Sequence, residues 1–391
     1  MKLSVALNNF FTFALAFVIV ITAAGVFSLV GKNLLQIQLV TAATQQSGDI
    51  DLRAGHIGEF GYIAPLPQGD SIQISHLPEI NQKIPAVSAP ARTKAPQKAN
   101  NRPWIRVGLY DAGEEKVVAS VNSSSKIVLA DGSEIKKVAK DKKISIRYNR
   151  FSGKYIIKRG LWRKSVDQFV RIVPEYSNKV ITIHSYENRP TWNTDYNDNQ
   201  FLGMLEMQYA SSTDKVWMIN ELGIENYVKG VSEAGDINDI AYLKTLYTAA
   251  RSYVNYHYLH PTKHADEPYL VDTTANDQVY RGYGFTQRAP NIAAAVDATR
   301  GKIIHYNGVP VVTPYFSQTD GRTRAWSEVW SGDYPYLNSV NDPCCTDEEL
   351  LGHGVGLSAK GARYFAEEKD WGWKKILKYY YQGITLNKLW N

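Results

Sequence analysis

Hydrophobic and polar positions divide the chain into three regimes. Residues 10–30, FFTFALAFVIVITAAGVFSLV, form an uncharged apolar run of 21 residues. Such a run is long enough to cross a bilayer as a helix. Lys2 precedes it, and Thr22-Ala23-Ala24 offers a small-residue cleavage site. Residues 1–31 therefore read as an uncleaved membrane anchor or, alternatively, a cleaved signal. Either carries the remainder to the extracytoplasmic face of the cell membrane or beyond it.

The second regime is polar and aperiodic. Seven of the sixteen prolines fall within 63–103, and residues 86–101 contain no aromatic side chain. A segment that buries so little apolar surface does not offset the entropy of ordering it. Residues 32–103 thus read as a disordered Pro-rich linker.

The third regime, 104–391, reads as the folded part. Short β-branched runs alternate with polar residues at 105–110, 116–121, 126–130, 143–148, 154–158, 169–173 and 179–186, and this period predicts strands. Asp131-Gly132 is a hairpin signal between the third and fourth of these runs.

Helical periodicity begins near 221. Within 238–260 it places Ile240, Leu243, Tyr247, Ala250 and Val254 on one stripe. Asn238 or Asp239 is the expected cap, and Pro261 the stop. A strand is expected at 311–317, and an amphipathic helix at 373–383 closed by Gly383. Strands first and helices later predict an α+β domain, with a β-rich part at 104–219 and a helical part at 220–391.

Composition sharpens this picture only in places. The 25 Tyr and 9 Trp supply flat rings for packing or for stacking on sugar faces. Net charge is +6, which suits anionic partners. No dense Lys/Arg block with interleaved aromatics stands out, so nucleic acid is not an expected partner. Cys344 and Cys345 are the two cysteines; free thiols are expected, with a vicinal disulfide as the alternative. No metal and no cofactor is expected. The His260/His264 spacing is the one metal-like feature, and Pro261 breaks the helix it would need.

Four segments carry a resemblance. They are NELGIENYVKGVSEAGD (220–236), YLKTLYTAARSYVNYH (242–257), DQVYRG (277–282) with ATRGKIIHYNGVPVVTPYFSQTDGRT (298–323), and PYLNSV (335–340) with GHGVGLSAKGA (352–362). In order and spacing they resemble the stage II sporulation protein D family, which shares its domain with amidase-enhancer proteins of the cell wall. The resemblance implies a peptidoglycan lytic transglycosylase. In such an enzyme one Glu protonates the leaving glycosidic oxygen. The same carboxylate then takes a proton from the 6-hydroxyl of the muramic acid, leaving a 1,6-anhydro end. The alternative is a non-catalytic, peptidoglycan-binding amidase enhancer. Implied partners are glycan strands, a cell-wall amidase, and the membrane through the anchor.

The family's glutamate falls at Glu233, on a short polar loop between two helical patterns, a usual place for catalysis. Its competing role is a first-turn carboxylate at the positive end of the 238–260 helix. Tyr315, Ser317, His353, Ser358 and Arg251 are the groove candidates. His353 sits among glycines that let backbone approach closely. Ser358 could also cap the helix after it, and Arg251 could instead form a buried ion pair. Phe316 and Ala359 stand where relatives commonly carry His and Gln, which removes groove polarity.

Overall fold

The computed structural model describes residues 102–391. The anchor expected at 1–31, and the linker up to residue 101, lie outside the described residues. Among the described residues no helix is long and apolar enough to cross a membrane.

Twelve strands come first: β1 (Trp104–Asp111), β2 (Val117–Val121), β3 (Ser125–Leu129), β4 (Glu134–Val138), β5 (Ile144–Asn149), β6 (Lys154–Arg159), β7 (Trp162–Val166), β8 (Val170–Pro174), β9 (Ile181–Ile183), β10 (Gln200–Phe201), β11 (Met204–Ala210) and β12 (Lys215–Gly223). Their burial alternates residue by residue, for example in β2 and β5, because one face of each strand meets the core. The expected strand runs are present, though 179–186 contracts to Ile181–Ile183 and 311–317 to Tyr315–Phe316. The charged sequences of β4 and β7 hid two more strands. The Asp131-Gly132 turn therefore joins β3 to β4, not to the 143–148 strand.

The helices are α1 (Ile224–Lys229), α2 (Ile240–Leu259), α3 (Gly282–Arg288), α4 (Pro290–Ala298), α5 (Trp326–Val329), α6 (Ala359–Glu367) and α7 (Trp373–Tyr380). Short strands run between them: β13 (Val271–Asp272), β14 (Lys302–Tyr306), β15 (Val309–Pro310), β16 (Tyr315–Phe316), β17 (Leu357–Ser358) and β18 (Thr385–Lys388). The described residues are thus mixed α+β.

One sheet has the order β13-β1-β12-β11-β8-β3-β4, and a second the order β10-β9-β2-β5-β6-β7. The expected division at 219 does not hold as a boundary. β12 runs through it to Gly223, and β13, from the helical part, adds to β1 in parallel. The two parts share one sheet and one hydrophobic core.

Helix α2 is the centre of the helical part. Asp239 caps it, accepting from the Ala241 and Tyr242 amides at 2.6 and 3.3 Å. The expected stripe understates its burial. Ile240 is exposed, while every residue from Thr245 to Ser252 is buried, because α4, α6, α7 and β14 pack around it. Such encirclement comes from partners distant in sequence, which no local period records.

Candidate active site

Glu233 lies on the loop between α1 and α2. Residues 230–232 pair with 279–281: Val231 bridges Tyr280, the Ser232 amide donates to the Val279 carbonyl, and the Arg281 amide to the Gly230 carbonyl. That pairing brings the Val279 amide 2.8 Å from Glu233 Oε1. The Tyr315 hydroxyl also donates to the Glu233 carboxylate. Burial nevertheless pushes the carboxyl up to about 6, because both donors together offset only part of the desolvation of the charged form. The side chain remains partly open to solvent. The competing role at the helix end is taken by Asp239, which caps α2 in its place.

Behind Tyr315 runs a directed chain of hydrogen bonds. The Tyr227 hydroxyl donates to Gln278 Oε1 at 2.9 Å. Gln278 Nε2 donates to the Ala250 carbonyl at 3.1 Å and to the Tyr315 hydroxyl oxygen at 3.0 Å. Both amide protons of Gln278 are thereby used, so the Tyr315 proton is free to face Glu233. Tyr227 and Gln278 are fully buried and belong to the site without having been singled out from sequence. For Gln278 the signal was available, since it stands inside the DQVYRG segment.

The strand β16 pairs in parallel with β17, setting Tyr315 opposite Leu357 and Phe316 opposite Ser358. Phe316 turns into the core, and Tyr315, on the opposite side of the strand, is only partly buried. The turn before β17 is possible only with glycine. Gly352 and Gly356 have φ of +106° and +80°, and a Cβ on Gly356 would meet the Pro314 carbonyl at 2.2 Å. His353 within that turn accepts from the Val355 amide through Nδ1 at 3.0 Å. Burial lowers its pKa to about 4, against the opposing pull of the Tyr315 backbone carbonyl. It is a neutral ring whose nitrogens face backbone. Its face packs against Trp330 (4.9 Å) and Phe316 (5.4 Å). Trp330 continues into Trp326 and Tyr334, with centroids 4.5 Å apart at each step. These three rings are half-buried, which leaves aromatic surface beside the site.

Glu233, Tyr315 and His353 are therefore linked by contacts, and Ser317 directly follows β16. Two groove candidates fall elsewhere. Ser358 is fully buried; its hydroxyl caps α6 by accepting from the Gly361 amide at 3.0 Å, and it also bonds the buried Asp342. Arg251 is fully buried too. It pairs with Glu225 at 2.9 Å and donates to the Val296 carbonyl and the Thr299 hydroxyl at 2.8 and 3.2 Å. Neither can reach a ligand, because structural partners already surround their polar atoms. Their role is to hold α2, α4 and α6 in place. Cys344 and Cys345 form the vicinal disulfide, not free thiols. His264 sits 2.7 Å from Asp277, which the Lys263 ammonium also reaches at 2.7 Å. His260 instead ends α2.

Five other acids of the helical part are occupied. Glu225 pairs with Arg251, Asp277 with Lys263, and Asp320 with Arg324. Asp236 accepts from the Ile292 amide in the first turn of α4, and Asp272 from the Thr274 amide and hydroxyl. Glu233 differs from these five in combining a raised affinity for a proton with partial exposure to solvent.

A model of the stage II sporulation protein family matches residues 212–306, which include Glu233, α2 and Gln278. An uncharacterised protein of Brachyspira hyodysenteriae is 34% identical over 142 residues, covering 36% of this chain and 37% of its own. Stage II sporulation protein D of Bacillus subtilis is 31% identical over 137 residues, 32% of this chain and 40% of the relative. The amidase enhancer of Bacillus subtilis is 39% identical over 89 residues, 23% of this chain and 12% of the relative. The matches span at most 40% of the length of these relatives. Over these segments the chain is similar to the stage II sporulation protein D and amidase-enhancer proteins.

Proposed function

We propose that the chain is a peptidoglycan lytic transglycosylase in which Glu233 is the single acid and base. The observation that carries this reading is the state of Glu233: one partly open carboxyl, lifted to about 6, to which no second carboxylate is bonded among the described residues. A glycosidase that uses water needs a partner carboxylate to activate it or to attack the sugar. A transglycosylase needs one group that gives a proton to the leaving oxygen and then recovers one from the sugar's own hydroxyl. A carboxyl balanced near neutrality serves both steps. The Val279 amide fixes one carboxylate oxygen, and the Gln278-oriented Tyr315 hydroxyl supports the anionic form once the proton has left. Trp330, Trp326 and Tyr334 offer faces for the flanking sugars. The apolar run at 10–30 would tether the domain to the membrane, on its outer side, within reach of the wall.

The test is incubation of the chain with purified glycan strands, followed by mass spectrometry. Anhydro-muramic ends are the expected product. Reducing ends would make it a hydrolase. Unchanged strands with binding intact would favour the second reading, a non-catalytic partner of a wall amidase. That second reading draws on the identity with an amidase enhancer.

A further inference from the structure

Folding assembles a basic surface that the linear sequence disperses. Residues 142–166 contain nine Lys and Arg and no Asp or Glu. The whole chain carries +6, so the rest of it sums to −3. The nine cations are spread at strand spacing over β5, β6 and β7 and their turns, and pairing lines them up. On the side of these strands away from the core, Ser145, Lys158 and Arg163 form one cross-strand row, and Arg147, Ile156 and Ser165 the next. Arg147, Lys158 and Arg163 are all exposed, while Ile144, Ile146, Tyr155 and Ile157 on the other side are buried.

Lys158 stands directly opposite Arg163. Like charges in that position repel and destabilise the pair. Lysine on an edge strand can be explained by protection against aggregation, and β7 is the edge of its sheet. Lys158 and Arg147 lie on β6 and β5, inside the sheet, where that explanation fails. Arg150 and Lys154 have acidic partners, Asp214 and Asp167. Among the described residues no ion pair forms to Arg147, Lys158 or Arg163, and the Arg159 Nε is buried without a partner.

We propose that the open face of β5–β7 binds an anionic glycopolymer, a chain carrying phosphate or carboxylate groups along its length. Cations spaced by the strand separation of about 4.8 Å match a ligand with repeated charges better than a single anion. The face carries no aromatic side chain, since Tyr148 and Tyr155 turn into the core. That disfavours single-stranded nucleic acid, which needs rings for stacking. The two fully exposed apolar residues nearby, Phe151 and Leu161, sit in turns at opposite ends of β6, about 20 Å apart, and give no single apolar anchor for a bilayer. The choice of a wall polymer as the source rests on the wall role proposed above. The charge geometry does not.

The experiment measures binding of the full chain, in mild detergent, to long-chain polyphosphate and to polygalacturonate, with no activity readout. Lys158→Glu, placed opposite Arg163, exchanges repulsion for attraction. It should keep or raise the melting temperature while weakening binding at least tenfold, which excludes misfolding as the cause. Arg147→Gln/Arg163→Gln should weaken binding similarly and flatten its salt dependence, as fewer counterions are released. Lys374→Gln/Lys375→Gln, on α7, should change affinity less than twofold. Preference for polyphosphate or for polygalacturonate identifies the phosphate or carboxylate source, and either supports the proposal. It is overturned if neither binds, if the α7 variant loses as much affinity as the sheet variants, or if oligothymidylate or anionic lipid nanodiscs bind more tightly than both polymers.

Discussion

The Tyr315 hydroxyl donates to the Glu233 carboxylate, and Gln278 fixes that direction by donating to the tyrosine oxygen. The bond pulls the Glu233 pKa down while burial pushes it up. In the proposed reaction, which needs Glu233 in both protonation states, activity is set by a balance between a side chain at 315 and the apolar packing around the loop.

Tyr315→Phe removes the donor and leaves the burial. The Glu233 carboxyl should then titrate above about 6, and the limb of the pH–rate profile that it governs should move to higher pH. Carbonyl-stretch infrared titration, with Glu233→Gln as the blank, measures the shift directly. A carboxyl that titrates unchanged would mean that the Tyr315 bond does not act on it.

Glu233→Gln separates chemistry from stability. Turnover should fall by about 10²–10⁴, the scale of general acid–base catalysis, with glycan binding retained. Stability should move the other way. A carboxyl raised from 4.5 to about 6 on folding contributes stability that is complete below 4.5 and is lost as pH rises through 6. The neutral amide has no such loss. The variant should therefore be more stable than the wild type at pH 7–8, by up to about 2 kcal/mol, and the gain should fade below pH 4.5. Urea unfolding at pH 4 and pH 8 checks both halves.

Arg251 gives the sharpest contrast between a motif's prominence and its task. Removal of one partner from a buried ion pair leaves the other charge unpaired, at a cost of about 3–5 kcal/mol. Arg251→Met should destabilise on that scale through Glu225, which also accepts from the Gly301 amide and the Trp390 indole. A ligand-contacting arginine would instead lower affinity and leave the fold intact. Chemical denaturation of the variant distinguishes the two.

How far the site was legible depended on distance along the chain. Glu233 was readable because its loop lies between two patterns that local periodicity marks, and Asp239 because a cap acts on the next three residues. Ser358 was placed in the groove, with capping only as a further possibility, because its burial against Asp342 depends on packing that its neighbours do not encode. Strands β4 and β7 were missed because their exposed faces are dense in charge, and the basic face that ends at β7 went unread for the same reason. The Tyr227–Gln278–Tyr315 chain joins residues up to 88 positions apart and exists only after α1, the 277–282 segment and β16 have met.

The last prediction concerns the boundary of the folded part. Pro103 accepts the Ile224 amide at 3.0 Å, and Trp104 opens β1, which lies between β12 and β13 in the larger sheet. Cutting inside β1 would therefore remove a central strand and strip both neighbours of their ladder bonds. A chain that begins at Arg102 keeps all of these. We expect it to be soluble and to melt in one cooperative transition, with near-UV circular dichroism typical of packed tyrosine and tryptophan. A chain that begins at Ala112 should aggregate or give a molten near-UV signal. If the Arg102 chain behaves like the Ala112 chain, residues before 102 supply core contacts, and the boundary lies further upstream.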